Sequence, residues 1–190
     1  MYFAICLSPQ AIGSPLPCPL GTFNPLEGLA SRNACQLCPP GRFCNITGST
    51  TPAGLTFEGF FARLGATTRE PFYELQLTEL YSDILFNDMI LGGDICPNGH
   101  FCPEGTGPEP LSCDGGTWQP DIGMSDCLAC PAGYFCANGT AQLGMSNVCP
   151  EGYFCPEGTT HPFENPCPRG TYRNVTFGTS VSDCLSCTPG

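Results

Sequence analysis

Positive charge is scarce in this sequence, which has 6 Lys and Arg residues against 17 Asp and Glu residues and a formal net charge of −11. A protein that binds nucleic acid needs clustered cations to face the phosphates, and no such cluster occurs here. We therefore expect no nucleic-acid partner. The acidity favours solubility. It would also attract calcium, but the D-x-[DN]-x-[DN]-G calcium loop does not occur, so calcium binding is left open.

Long apolar runs are also missing. A membrane-spanning helix needs an apolar run of about 18 residues or more, and the sequence contains none. The N-terminal segment opens with the apolar stretch Met1–Leu7, which lacks the positively charged start of a secretory signal peptide. We interpret residues 1–17 as a truncated signal or a linker.

The residues that carry most enzymatic chemistry are few. His100 and His161 are the two histidines, and the nucleophile and zinc motifs G-x-S-x-G and H-E-x-x-H are absent. A zinc site needs four converging ligands, and a redox C-x-x-C needs a βαβ setting, which a chain rich in Gly and Pro does not provide. We predict no catalytic residue, no metal ligand and no cofactor, and hence that the protein is not an enzyme.

Cysteine, glycine and proline dominate what is present: the 190 residues include 16 Cys, 24 Gly and 21 Pro. Cysteine at about 8% is close to the level of secreted disulfide scaffolds, and disulfides persist only in oxidising compartments. Gly and Pro at this density favour turns and short strands over long helices. Because so few apolar residues remain for one large core, we expect covalent bridges to supply the stability in an extracellular setting.

All cysteines except Cys6 belong to two repeated motifs or to the C-x-x-C that follows one of them. The first, C-P-x-G-x-F-C, occurs four times, at 38–44, 96–102, 130–136 and 149–155. The second, C-x-x-G-T-aromatic, begins at Cys18, Cys113 and Cys167, and each copy is followed by a C-x-x-C. Fixed Pro, Gly and aromatic positions at fixed spacing indicate tandem repeats.

The repeats divide the sequence. Because Cys187 to Gly190 begin a further motif, we expect the chain to be a fragment of a longer protein. The predicted parts are the N-terminal segment at 1–17, repeat 1 at 18–55, a degenerate repeat or insertion without cysteines at 56–94, a cysteine-rich turn at 95–112, repeat 2 at 113–166 and a truncated repeat 3 at 167–190.

The cysteine-free stretch bears on the pairing. Thr56-Phe57-Glu58-Gly59-Phe60-Phe61-Ala62 aligns with Cys149–Cys155, as if both cysteines of one turn had been lost together. When both cysteines of a turn are lost together, no cysteine elsewhere loses its partner only if the two had been paired with each other. Local bridges are therefore favoured. The interleaved alternative, Cys130–Cys149 with Cys136–Cys155, stays open because connectivity does not follow from sequence.

The local hypothesis gives seven bridges. It leaves Cys6 and Cys187 unpaired in this fragment, with the partner of Cys187 expected just beyond Gly190. The proposed pairs are Cys18–Cys35, Cys38–Cys44, Cys96–Cys102, Cys113–Cys127, Cys130–Cys136, Cys149–Cys155 and Cys167–Cys184.

Other positions carry further predictions. Three N-x-[ST] sequons, at Asn45, Asn138 and Asn174, predict N-glycosylation of a surface. His100 fills a variable position of its motif, so we expect a solvated side chain. The repeated aromatic residues are expected to pack on the bridges and neighbouring turns. These residues are Phe23, Phe43, Phe101, Trp118, Phe135, Phe154 and Tyr172.

One segment departs from the pattern. Phe72–Leu91 is apolar with an ambiguous period. It is an inserted loop or docking helix, a degenerated repeat, or translated non-coding sequence.

The motifs CPxGTF and CxxCPxGxFC resemble the ephrin-receptor-like cysteine-rich repeat, which is similar in style to EGF and tumour-necrosis-factor-receptor modules. The resemblance covers residues 18–55 and 95–190. It implies a small disulfide-rich fold, an elongated tandem array of short two-stranded β modules and turns with little helix, in a secreted or membrane-anchored protein.

The function that follows from these observations is a structural spacer or adhesion stalk, with neighbouring repeats or another protein as its partner. The alternative is a receptor-type ligand-binding module. An enzyme or a protease inhibitor is the least favoured class. A receptor should expose a contiguous apolar patch, for which we single out Phe72–Leu91.

Overall fold

The computed structural model describes residues 5–6, 16–26, 32–71 and 92–188. Within these ranges there are fourteen short strands, and the only helices are three short 3-10 segments at Arg32–Ala34, Met145–Asn147 and Val181–Asp183. The strands are β1 (Ile5–Cys6), β2 (Leu16–Pro17), β3 (Thr22–Phe23), β4 (Gln36–Leu37), β5 (Arg42–Phe43), β6 (Gly54–Leu55), β7 (Phe60–Ala62), β8 (Gly93–Ile95), β9 (His100–Phe101), β10 (Leu111–Ser112), β11 (Thr117–Trp118), β12 (Leu128–Ala129), β13 (Thr171–Tyr172) and β14 (Leu185–Ser186).

Consecutive strands pair into seven two-stranded antiparallel sheets. The strands are only two or three residues long, because Pro and Gly interrupt every extended stretch. The structure confirms the predicted disulfide-rich tandem array of two-stranded β modules with little helix.

A four-residue turn opens each motif, and its glycine explains the fixed spacing. In the turn from Pro39 to Arg42, the Arg42 N–H donates to the Pro39 carbonyl, and Gly41 at the third position has a φ of 73°. This is a type II turn, which needs a positive φ at its third residue and therefore selects glycine. Arg42, the last residue of the turn, is also the first residue of β5, so the turn fixes where the strand begins.

The chain divides into two compact units, residues 1–96 with 102–110, and residues 97–101 with 111–190. In the first unit, each turn bonds to the next through its glycine. The Gly41 carbonyl accepts from the Thr56 N–H, and the Gly41 N–H donates to the Ala62 carbonyl, both at 3.0 Å. Gly21 makes the same two bonds with Cys38 and Cys44. These bonds stack the turns in register.

The same ladder runs through the second unit. The Gly133 carbonyl accepts from the Cys149 N–H, and the Gly133 N–H donates to the Cys155 carbonyl. Equivalent pairs of bonds join Gly99 to Cys113 and Gln119, Gly116 to Cys130 and Cys136, and Gly152 to Cys167 and Arg173. Within the unit, each turn is thus held by the backbone of the turn that follows it.

Disulfides occupy the place of an ordinary hydrophobic core. In the described part of the chain, the two apolar clusters of buried residues hold three residues each, Phe43 with Ala62 and Ala66, and Phe61 with Cys96 and Cys102. Ten half-cystines are fully buried, whereas most large apolar side chains are partly exposed. The fully buried half-cystines are Cys18, Cys38, Cys44, Cys96, Cys102, Cys113, Cys130, Cys136, Cys149 and Cys155.

The cysteine-free turn keeps the ladder of its neighbours. Thr56 and Ala62 stand where the other turns have half-cystines, and both are 0% exposed. The Thr56 hydroxyl adds a bond of 3.3 Å to the Gly41 carbonyl. Gly59 donates to the Cys102 carbonyl and accepts from the Cys96 N–H. Residues 56–62 are therefore a complete turn in which backbone hydrogen bonds persist without a bridge.

This turn should accept a bridge. In the double variant Thr56→Cys/Ala62→Cys, we expect a new disulfide to form, because the backbone around both positions matches that of the bridged turns. Closing a seven-residue loop stabilises by about 2 kcal/mol in the chain-entropy model. Intact mass measured after alkylation without reductant, together with a denaturant melt, checks both expectations. Each single variant is the control, since it adds only a thiol. Two alkylated thiols in the double variant would contradict the match.

Candidate functional site: disulfide turns and exposed aromatic rings

The seven disulfides between described residues each join cysteines of the same motif or loop. The bridged Cα atoms lie 5.7–5.9 Å apart, inside the usual range. Cys130 pairs with Cys136 and Cys149 with Cys155, so the pairing is local rather than interleaved. The pairs are Cys18–Cys35, Cys38–Cys44, Cys96–Cys102, Cys113–Cys127, Cys130–Cys136, Cys149–Cys155 and Cys167–Cys184.

Two cysteines stand outside these bridges. Cys187 is free and exposed. Its N–H donates to the Gly170 carbonyl, just as the first cysteine of an earlier turn donates to the glycine carbonyl of the turn before it. The side chain of Cys6 lies outside the described part of the chain, so its pairing stays a prediction.

No C-x-x-C forms a bridge between its own two cysteines in this structure, and in two of the three copies they belong to different bridges. Cys35 pairs with Cys18, while Cys38 pairs with Cys44. A dithiol redox pair would need both thiols in one bridge, and a zinc ligand would need a free thiolate. Within the described ranges, no group of three or more His, Cys, Asp or Glu side chains is arranged to hold a metal ion.

Three polar side chains make structural hydrogen bonds that the sequence did not predict. In the G-T turns, the position of the second half-cystine is taken by Asn24, Gln119 and Arg173. The Asn24 amide donates at 2.5 Å to the carbonyl of Ala34, the residue just before Cys35. The equivalent bonds of Gln119 and Arg173 run to the Asp126 and Asp183 carbonyls, at 2.7 and 3.2 Å.

These bonds attach each long loop to its own turn. Asn24 and Gln119 are only 2% and 3% exposed, and their amide oxygens accept from the N–H groups of Leu26 and Asp121. A buried amide must be satisfied in this way. A weak signal was available in the sequence, since all three G-T motifs have a polar side chain at this position and are followed by a long disulfide loop.

Two carboxylates order the surface loops of the second unit. Glu164 accepts from the Thr160 N–H and hydroxyl, and these bonds hold the pKa of Glu164 below its ordinary value. Asp183 accepts in the same way from Thr179 and from the Ser180 N–H, which lowers the pKa of Asp183. Arg173 lies 3.9 Å from Asp183. Both carboxylates are therefore ionised near neutral pH.

The three sequon asparagines are all exposed. Asn45 and Asn174 follow the last residue of a turn directly, and Asn138 lies one residue further on. The Thr140 hydroxyl of the second sequon donates to the Ala137 carbonyl at 2.7 Å. These positions are accessible, and glycosylation at Asn45, Asn138 and Asn174 stays a prediction.

The two histidines have different surroundings. His100 Nδ1 lies 3.1 Å from the Asn98 carbonyl in an exposed contact. His161 Nδ1 accepts from the Phe163 N–H, and the two rings meet at 5.5 Å between centroids. His161 therefore belongs to a cluster of rings.

The repeated aromatic residues differ in burial. In the first unit, Phe43 packs on Ala62, and Phe61 packs on the Cys96–Cys102 bridge, so each ring covers the half-cystine position of the following turn. Phe43 and Phe61 are 9% and 5% exposed. Tyr172, by contrast, is 45% exposed beside its cross-strand partner Leu185. A two-residue hairpin has no second layer to cover its outer face.

Two aromatic pairs are exposed in the second unit. The Tyr134 and Phe177 rings meet edge to face at 5.0 Å, and the Tyr153 and Phe163 rings meet at 5.1 Å. Phe177 is 44% exposed and Phe163 is 57% exposed. We call these four residues the aromatic surface. Such edge-to-face pairs contribute about 0.5–1.5 kcal/mol beyond the area they bury.

Phe177 is unusual in its backbone. With a φ of 68°, it is the only non-glycine residue with a positive φ in the described ranges. Its N–H donates to the Cys149 carbonyl, the bond that Gly158 makes with Cys130 and Gly139 with Cys113. A residue with a side chain loses about 1–2 kcal/mol of stability in this left-handed backbone conformation. For the stability of the fold alone, glycine would therefore be the better residue.

No family model matches the chain, and no curated protein matches it. The resemblance to ephrin-receptor-like and tumour-necrosis-factor-receptor-like repeats therefore rests on the motifs alone. No described helix has the length and apolar character that a membrane crossing requires. Residues 72–91 lie outside the described part, so the idea of a docking helix there stays a prediction.

Proposed function

We propose that this chain is a non-enzymatic spacer in the extracellular part of a larger secreted or membrane-anchored protein, where it acts as a segment of a stalk. The observation that supports this most is the turn-to-turn ladder. In each unit, the glycine of a turn both donates to and accepts from the following turn, with N–O distances of 2.7–3.0 Å. A module held by its neighbours in this way suits a linear repeat protein.

Local bridging supports the same function. Because every bridge closes within one motif or loop, a whole turn can be gained or lost without leaving a distant cysteine unpaired. The cysteine-free turn at 56–62 keeps the ladder bonds of a bridged turn. Repeat number, and hence the distance spanned, can then vary without redesign of the module.

The disulfide content supports the extracellular setting. Among the described residues, fourteen cysteines are bridged, and bridges at this density are stable in oxidising compartments but not against cytosolic reductants. The 17 acidic residues against 6 basic ones favour a soluble surface. Neither feature requires a bound cofactor or a nucleic-acid partner.

The spacer proposal makes a geometric prediction. Deletion of residues 130–148 removes one complete turn and places Cys149 after Ala129, so that Gly116 can make with the next turn the two bonds it makes now with Cys130 and Cys136. We expect the six remaining bridges to form unchanged, and the maximum dimension measured by X-ray scattering to decrease by one repeat.

A second deletion is the matched control. Deletion of residues 149–166 also removes one turn, and Gly133 then meets the turn that starts at Cys167. Both deletions should give the same decrease in length, because each takes out one step of the same ladder. Scrambled bridges outside the deleted turn, or no change in the maximum dimension, would contradict a spacer.

The receptor-type alternative has one observation in its favour. The aromatic surface of Tyr134, Phe177, Tyr153 and Phe163 presents partly exposed rings in the described part of the chain. A spacer needs no such rings, and a protein-binding module does.

A further inference from the structure

The two pairs of the aromatic surface lie on consecutive turns. Tyr134 and Tyr153 fill the same motif position, and Gly133 bonds to the Cys149 and Cys155 backbone. The Phe177 ring lies against Gly133, where a Cβ atom would come within 2.9 Å of the ring. The next residue, Gly178, packs on the Tyr153 carbonyl, since a Cβ there would lie 2.7 Å from that oxygen. The two aromatic pairs therefore lie on adjacent stacked turns.

In the first unit, two aromatic rings are in contact with arginine side chains. The Arg69 guanidinium lies 3.1 Å from the Phe57 ring centroid, and the Arg63 guanidinium lies 4.8 Å from that of Phe61. These are cation–π contacts, in which the negative face of a ring attracts a positive charge. The first unit thus shows how this repeat pairs its own aromatic residues with arginine.

The aromatic surface has no such cation within the described residues. No Lys or Arg occurs between Arg69 and Arg169 in the sequence. Arg173 is committed elsewhere, since its guanidinium donates to the Asp183 and Thr176 carbonyls. The rings are therefore left without the partner that Phe57 and Phe61 have.

Three carboxylates border the aromatic surface. Glu151 is exposed at the tip of the turn that carries Tyr153, and Glu157 is exposed just after the same turn. Glu164 follows Phe163 directly and is held ionised by its hydrogen bonds to Thr160. Exposed rings bordered by carboxylates complement a cation that has an aliphatic stem, which is the chemistry of arginine and lysine side chains.

We propose that the aromatic surface is a docking site for an extended, arginine- and lysine-rich segment of a partner protein. The basic side chains stack on the Tyr134–Phe177 and Tyr153–Phe163 pairs, while Glu151 and Glu157 neutralise the remaining charge. The spacing of two consecutive turns offers two such places side by side. This role goes beyond that of a spacer and does not depend on it.

The test uses a fluorescent twelve-residue peptide of alternating arginine and glycine as the probe, titrated with the full chain at physiological salt. We expect saturable binding that the variant Tyr134→Ser/Tyr153→Ser weakens about ten-fold or more. A peptide with glutamine in place of every arginine should not bind. Phe177→Gly should weaken binding several-fold while the melting temperature stays equal or rises, because glycine suits the positive φ.

The controls separate docking from general attraction to an acidic protein. Ile122→Ser changes another exposed apolar residue of the same unit and should leave binding unchanged, as should Asp121→Asn. Equal loss in Asp121→Asn and in Glu151→Gln would overturn the proposal in favour of non-specific attraction. Equal affinity for the glutamine peptide would overturn the choice of a cationic partner. A dimer of the chain that Tyr134→Ser/Tyr153→Ser dissociates would instead make a second copy the occupant.

Discussion

Reduction of the seven disulfides is expected to unfold this protein at room temperature. In the chain-entropy model, each bridge between cysteines six apart stabilises by about 2 kcal/mol and each long-loop bridge by about 3 kcal/mol. Together they contribute about 15–20 kcal/mol, which exceeds the net stability of a typical domain, about 5–15 kcal/mol. The apolar clusters of three residues around Phe43 and Phe61 cannot offset that loss. The amide proton spectrum should collapse to narrow dispersion when excess dithiothreitol is added.

The effect should be graded when single bridges are removed. Cys149→Ser/Cys155→Ser deletes one bridge cleanly, and the cysteine-free turn at 56–62 shows that the ladder survives such a loss. We expect a loss of about 2 kcal/mol with the other six bridges unchanged. Cys149→Ser alone should be worse, since it leaves the Cys155 thiol to exchange with other bridges. A well-dispersed spectrum under strong reductant would refute the scaffold interpretation.

Gly116→Ala is expected to destabilise the second unit by more than 3 kcal/mol. Gly116 has a φ of 84°, and a Cβ atom there would lie only 2.4 Å from the Gly158 carbonyl oxygen. The backbone of the following turns would have to shift, and with it the ladder bonds that Gly116 makes with Cys130 and Cys136. Steric overlap of this kind adds to the left-handed backbone cost of about 1–2 kcal/mol. Denaturant melts with the bridges intact measure the difference.

Gly158→Ala supplies a matched control for this prediction. Gly158 has nearly the same φ, 82°, but no heavy atom lies within 4 Å of its Cβ position. Only the backbone cost of about 1–2 kcal/mol should remain. If the two variants lose equal stability, close stacking of one turn on another is not what requires glycine at Gly116.

Much of the module could be predicted because its determinants are local. The type II turn needs a glycine at its third position, and a cysteine on either side of such a turn is brought within bridging distance. The joint absence of both cysteines in 56–62 pointed to local pairing, and the structure has Cys149 joined to Cys155. Repetition of one short motif carries this information several times over.

Other features depend on contacts between residues far apart in sequence. Asn24 and Gln119 are buried and bond to the carbonyls of Ala34 and Asp126, which the sequence did not indicate because an isolated Asn or Gln more often lies at the surface. Nor did the sequence show that Phe43 packs on Ala62, at the half-cystine position of the following turn, rather than on the bridge of its own turn. Both follow from how one turn stacks on the next.

The sequence by itself determined the class of fold and the turn chemistry, because cysteine, proline and glycine act within a few residues of where they stand. Only the tertiary structure decided which carbonyl each turn glycine meets, that Thr56 and Ala62 continue the ladder without a bridge, and that Phe177 adopts a glycine-like φ to place its ring beside Tyr134. Those outcomes depend on the register between successive turns, and backbone hydrogen bonds set that register without regard to side-chain identity.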